Sequence, residues 1–293
     1  MLPGMALHRP RKFGVTVVGS GNLASALAIS LGKAGYEIEL VVSRTSADSL
    51  RRARRLAREV GAKANTTADA QITADVVWLC VPDSAIGEAA RSLVSAADWK
   101  GKVALHSSGA LSSDELDVLR QRGAAVASVH PLMTFVRDSR PGFEGVAFAV
   151  EGDQRAVRVA RSFVRKLHGR AFAISKQEKA AYHAWGMFVS PLLTALLAAG
   201  ENVAAAAGVG RKQARHRMLP ILKQTLANYE RLGAPGSFSG PIARGDVDTV
   251  RKHLKILAGV SGAREVYVAL ARVALRELPA KNRELLKKKI LAG

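Results

Sequence analysis

The 293-residue chain holds a single cysteine, Cys80, which excludes an intramolecular disulfide and any multi-cysteine metal site. Aromatic residues make up only 5%, thin provision for platforms that stack nucleic-acid bases. No zinc-finger spacing, arginine–glycine tract, internal repeat or low-complexity linker is present. Acidic residues are scarce as well: 24 face 44 lysines and arginines, a formal charge of +20. A secretory leader is not expected, because residues 1–12 are short and basic and the apolar run Phe13–Val18 ends in a glycine loop before it reaches leader length. A cytoplasmic location is the expectation.

The basic excess attracts phosphate groups of any kind. Its densest clusters are Arg51, Arg52, Arg54, Arg55 and Arg58, and Lys287–Lys289. Spread as they are, the basic residues read as a solvated surface, and no specific nucleic-acid partner is expected. Ala180–Gly200 has no charged side chain apart from His183 and is long enough to cross a bilayer. It is alanine-rich and interrupted by Pro191, so it reads as a protein-covered helix, with no membrane partner expected.

What remains is ordinary globular material, 48% hydrophobic and 23% charged, long enough for two domains. Through the first half, short β-rich runs alternate with helical stretches. Strands are expected at Phe13–Val18, Tyr36–Val42, Asp75–Val81, Lys102–His106, Ala124–Val129, Val146–Val150 and Ala171–Ile174. Helices are expected at Asn22–Lys33, Ser46–Val60, Ser84–Ala96, Asp114–Arg122 and Arg155–Leu167. Beyond Ser175 only helical patterns appear: 176–207, 211–232, 247–257, 262–278 and 280–291. The fold class is therefore α/β: a doubly wound, mainly parallel sheet over residues 1–174, then an all-α domain over 175–293.

Gly19-Ser20-Gly21-Asn22-Leu23-Ala24 follows the first strand and opens the first helix. That is the strand–turn–helix setting of a Rossmann dinucleotide loop, with alanine in the third glycine's place. A pyrophosphate would rest on the free amides and positive dipole end of the helix. At the end of the second strand, where NAD sites carry an acid, stand Ser43, Arg44 and Thr45. A guanidinium and two hydroxyls suit a 2′-phosphate, so NADP is the expected cofactor. Val81-Pro82 and Ser107 lie at later strand ends on the same sheet edge and are expected to border it.

His106 and His130 end the fourth and fifth strands, in position either to exchange protons near neutral pH or to shape their loops. On the first helix of the second domain, Lys179 and His183 lie one turn apart, and Met187 and Ser190 continue their stripe. Lys179, His183 and Ser190 are the candidate catalytic set: one of them would protonate a carbonyl or imine as hydride arrives from the nicotinamide. Tyr182 reads as lying on another face. Arg244, in the loop Gly240–Asp246, is placed to hold an anionic group, and Asp246 reads as a helix N-cap.

The glycine loop, VHPLMTF at Val129–Phe135, EKAAYHAWGMFVS at Glu178–Ser190 and FSGPIARGD at Phe238–Asp246 together resemble one bacterial family over nearly the whole chain. It joins a Rossmann-like domain to a helical domain of unknown function and is assigned to the NADP oxidoreductases. Pyrroline-5-carboxylate reductases and 3-hydroxyacid dehydrogenases are wider kin, as are prephenate dehydrogenases and deazaflavin-dependent NADP reductases. The resemblance implies an NADP site on the first domain and helices in the second that form a homodimer. Hydroxyacid kin carry a catalytic lysine on the first helix of that domain, with asparagine four residues on. Lys179 and His183 match those places, histidine standing for asparagine, and Pro191 stands where the family has asparagine after the serine. The leading expectation is an NADP-dependent oxidoreductase acting on a small, anionic or neutral, carbonyl, imine or hydroxy compound. The alternative is a dimeric NADP-binding sensor or scaffold without turnover.

Overall fold

The computed structural model describes residues 13–137 and 139–291; the basic stretch 1–12 lies outside them. The chain divides into two compact units, the first ending at Met187 and the second beginning at Phe188.

The first unit is an eight-stranded sheet: β1 (Gly14–Val18), β2 (Glu37–Ser43), β3 (Lys63–Thr66), β4 (Val76–Leu79), β5 (Val103–His106), β6 (Ala125–Pro131), β7 (Ala147–Gly152) and β8 (Arg170–Ala173). The spatial order is β3-β2-β1-β4-β5-β6-β7-β8. Every pairing is parallel except β6–β7, which is antiparallel. The first six strands thus follow the order of a dinucleotide-binding sheet, with its crevice beyond the carboxyl ends of the strands.

Both faces of the sheet are covered, which is why β4, and β1 apart from Thr16, are apolar without alternation and fully buried. On one face α1 (Asn22–Lys33), α2 (Ala47–Val60) and α5 (Gln154–Lys166) bury Leu27, Leu56 and Phe163 against Trp78 and Phe148. On the other, α3 (Ile86–Ser92) and α4 (Asp117–Arg120) close over Leu79, Leu93, Trp99 and Leu116. The expected helix over 84–96 is a short α-helix between two 3-10 turns, and 114–122 is a 3-10 turn followed by one α turn. Strand β3 was not expected; its sequence KANT is polar and only four residues long.

Strand β8 ends at Ala173, beside the expected domain boundary at 174, but the first unit continues into α6 (Lys179–Val189), whose Lys179 and Tyr182 are buried. The expected continuous helix over 176–207 is broken: Ser190 has φ −130° and ψ −82°, and α7 (Pro191–Ala206) starts anew with proline in its first turn.

The second unit continues with α8 (Arg211–Ser237), kinked at Gly233 (φ 66°), then α9 (Pro241–Arg244), α10 (Val247–Leu257), α11 (Ala263–Glu277) and α12 (Arg283–Leu291). Its small core gathers Val250, Val268, Leu275, Leu286 and Ile290. Asp246 caps α10, its carboxylate accepting from the Thr249 amide at 3.0 Å. By length and composition the helical stretch Lys179–Ala206 could cross a membrane.

Candidate active site

Three strand ends and one helix start build the site, all within the first unit. The glycine loop supplies its first part. Gly19 adopts φ 117°, and a Cβ there would lie 2.4 Å from the Cys80 carbonyl oxygen, so the tight turn beside β4 requires glycine. Above Gly21 a Cβ would meet nothing within 4 Å, which leaves open space over the start of α1. That helix has no side-chain cap and no acid in its first turn, so its amides face the opening unpartnered. Ala24, fully buried, lets helix and sheet pack closely. These features fit a dinucleotide pyrophosphate. Asn22 donates its amide to the Phe135 carbonyl at 3.1 Å, tying the loop after β6 to the same rim.

At the end of β2, Arg44 and Thr45 are exposed. Ser43 differs from them: its hydroxyl is buried and donates to the Arg44 carbonyl at 3.0 Å, bracing the turn. Val81 is half-buried and Pro82 exposed after β4. Ser107 Oγ, after β5, accepts from the Trp78 indole at 2.9 Å.

The loop after β5 is held rigidly. His106 is fully buried, with Nδ1 accepting from the Ser108 amide at 3.1 Å and Nε2 lying 3.0 Å from the Ser112 carbonyl. Those partners require the neutral Nε2–H tautomer, and burial pushes the imidazole down to about 4. His106 therefore shapes the loop rather than exchanging protons. The Ser108 hydroxyl accepts from the Leu111 amide at 2.9 Å and donates to Asp83 at 2.8 Å, fastening the loop to the turn after β4.

Lys179 is fully buried. Its ammonium donates to Ser128 Oγ at 2.7 Å and to the Ser108 carbonyl at 3.1 Å, and Ser128 Oγ itself donates to that carbonyl at 3.1 Å. Burial lowers the lysine from its ordinary value, while Glu151 and Asp83 oppose the shift. Glu151, also buried, is held by the Ser113 amide and hydroxyl at 2.6 and 2.9 Å.

Tyr182 shares the buried side of α6 with Lys179, which corrects the expectation that it lies on another face: three residues along a helix turn through little less than one revolution. Its hydroxyl lies 3.0 Å from His130 Nδ1. The same hydroxyl lies 3.5 Å from the His130 carbonyl as a donor; a tyrosine proton turned to Nδ1 instead leaves the neutral His130 with its N–H at Nε2. Burial and the Lys179 charge push His130 down to about 4, and burial pushes Tyr182 up to about 12.

His130 and His183 meet edge to face, ring centroids 6.1 Å apart, over Gly109. A Cβ on Gly109 would come within 2.7 Å of His183 Cδ2 and 2.9 Å of His130 Nε2. Lys179 and His183 are thus brought together with His130. Ser190 sits at the helix break just past the last residue of α6, half-buried, its carbonyl accepting from the Thr194 hydroxyl at 3.1 Å. Arg244, in the second unit, is exposed. Asp83, Ser108, Ser128 and Tyr182 were not among the expected site residues. The run His106-Ser107-Ser108-Gly109 at a strand end was the available signal for the serine.

Residues 14–106 match the family described as NADP oxidoreductase, coenzyme F420-dependent, and residues 146–274 match a domain of unknown function, DUF2520. No curated protein matches the chain. Among solved structures it is similar to a Bacteroides fragilis protein provisionally named an NADP oxidoreductase, at TM-score 0.75 and 22% identity over 89% of this chain and 97% of the other. An imine reductase from Pseudomonas sp. aligns at TM-score 0.64 and 22% identity, over 91% and 94% of the two chains. A reductive aminase from Aspergillus terreus, in complex with NADPH and ethyl-5-oxohexanoate, aligns at 0.65 and 18%, over 91% and 95%.

Proposed function

The chain joins an NADP-oxidoreductase Rossmann domain to a DUF2520 domain, and we propose on that premise that it reduces the C=N or C=O bond of a small compound seated over Gly109. Convergence carries this reading: a neutral histidine, a second histidine and a buried ammonium gather around one glycine, on the sheet edge that also bears the glycine loop. Bound NADPH supplies the hydride.

Each residue then has a part. The first-turn amides of α1 bind the pyrophosphate, and Arg44 with Thr45 binds the 2′-phosphate. Tyr182 holds His130 in the tautomer that offers Nε2–H, a hydrogen bond to the substrate's oxygen or nitrogen as negative charge grows there. His183, half-buried beside Gly109, delivers the proton. Lys179 keeps the Ser108 carbonyl and Ser128 fixed, so the glycine stays under both rings, and its charge favours the reduced, electron-rich centre. The reverse reaction, oxidation of an amine or alcohol, uses the same groups.

A homodimer belongs to this reading. No residue of α7 is buried, and Phe188, Leu192 and Leu196 are exposed in the second unit, an apolar surface that a second copy would cover.

The test is a panel of cyclic imines, keto acids and aldehydes with amines, followed by NADPH absorbance. The expected result is turnover on at least one class, cut by about a hundredfold or more in His183→Ala with NADPH affinity retained. NADPH binding without consumption across the panel would favour a sensor.

A further inference from the structure

A second concentration of basic side chains is carried by α2. Strand β3 is the edge of the sheet, and α2 runs beside it. Between them is a hollow of about 450 Å³, lined along α2 from Ala47 through Arg51 and Arg54 to Arg58, and beside it by Ala62 and Ala64. Its volume falls in the range of small-ligand clefts.

Charge there is unbalanced. Of the two acids of α2, Asp48 pairs with Arg51 and Glu59 with Arg140. Among the described residues, Arg54 and Arg58 make no ion pair, and both are exposed. One helical turn apart, they stand side by side about 6 Å along the axis, so two guanidinium forks address one elongated ligand. No aromatic side chain lines the hollow, so it offers no surface for stacking bases, which argues against a nucleic-acid strand. Guanidinium forks match phosphate oxygens in pairs. The hollow begins at Ala47, next to the β2–α2 turn that would hold the cofactor's 2′-phosphate, and reaches Arg58 about 16 Å along α2, so that Arg54 and Arg58 lie in its far part.

We infer that this hollow is a binding site, separate from the cofactor loop, for a small ligand bearing a chain of two or more phosphates. The inference stands without the proposed reductase activity.

Calorimetric titration of the full chain with inorganic tripolyphosphate, in the presence of NADPH, tests it. The expected result is one saturable site, weakened at least about tenfold by the double variant Arg54→Ala, Arg58→Ala. It should be unchanged by Arg158→Ala, Arg161→Ala on α5, which removes the same charge from another exposed helix. A parallel titration with ATP distinguishes sources: equal affinity means that the phosphate chain alone is recognised, and higher affinity means that a nucleoside adds to it. Absence of a saturable site would overturn the inference, as would equal weakening by the α5 pair. Binding at the cofactor loop alone, unmoved by the α2 pair, would overturn it too.

Discussion

The Lys179 ammonium lies 2.7 Å from Ser128 Oγ, so a buried charge at the start of α6 is fastened to the middle of β6. The same ammonium holds the Ser108 carbonyl, and through that contact the helix, two strand ends and the glycine between two histidines become one unit.

Removing that charge therefore costs more than activity. Lys179→Ala leaves the Ser108 carbonyl and the Ser128 hydroxyl short of a donor and opens a void in a fully buried place. We expect a loss of roughly 2–4 kcal/mol in urea denaturation, against about 1 kcal/mol for Ser128→Ala. An unaltered midpoint for Lys179→Ala would show that the ammonium holds nothing.

Acid should weaken the fold by way of His106. Its ordinary value is 6.5, and burial sets it at about 4 in the folded chain. Between those limits the unfolded chain takes up a proton that the folded chain refuses, so stability falls as pH drops from about 6.5 to about 4 and then levels off. His130 acts in the same direction. The loss through His106 is at most roughly 3 kcal/mol, and His106→Gln should flatten the profile measured by denaturation at pH 7 and pH 5.

Gly109→Ala probes the closeness of the two rings. The added methyl would press on His183 Cδ2 and His130 Nε2, displacing the groups proposed to meet substrate. kcat/KM should fall about 10- to 100-fold, while NADPH affinity and thermal stability change little. Full activity in this variant would place the chemistry elsewhere.

Much of this architecture was legible in the sequence because its signals are local. Val15–Val18 running into Gly19-Ser20-Gly21 reads as strand, turn and helix from neighbours alone, and α1 and α10 keep their expected ends. Strand β3 was hidden because four polar-leaning residues carry no period of their own; pairing with β2 makes them a strand. The break at Ser190 was hidden by the apolar run on both sides, although Pro191 marks the start of a new helix. Lys179 and His183 could be nominated from one helix stripe. His130 could be nominated from its strand end, but its meeting with them could not, nor could Ser108 and Ser128, since the sheet alone brings these distant segments together. Tyr182 was misjudged because a three-residue step was read as a change of face.

The account depends most on the glycine loop and Arg44 receiving NADPH. Calorimetry with both dinucleotides, on the parent chain and on Arg44→Ala, tests that directly. The account predicts one NADPH per chain, NADH bound about 10- to 100-fold more weakly, and a variant that loses this preference by weakening NADPH alone. No heat with either dinucleotide, oxidised or reduced, would contradict it.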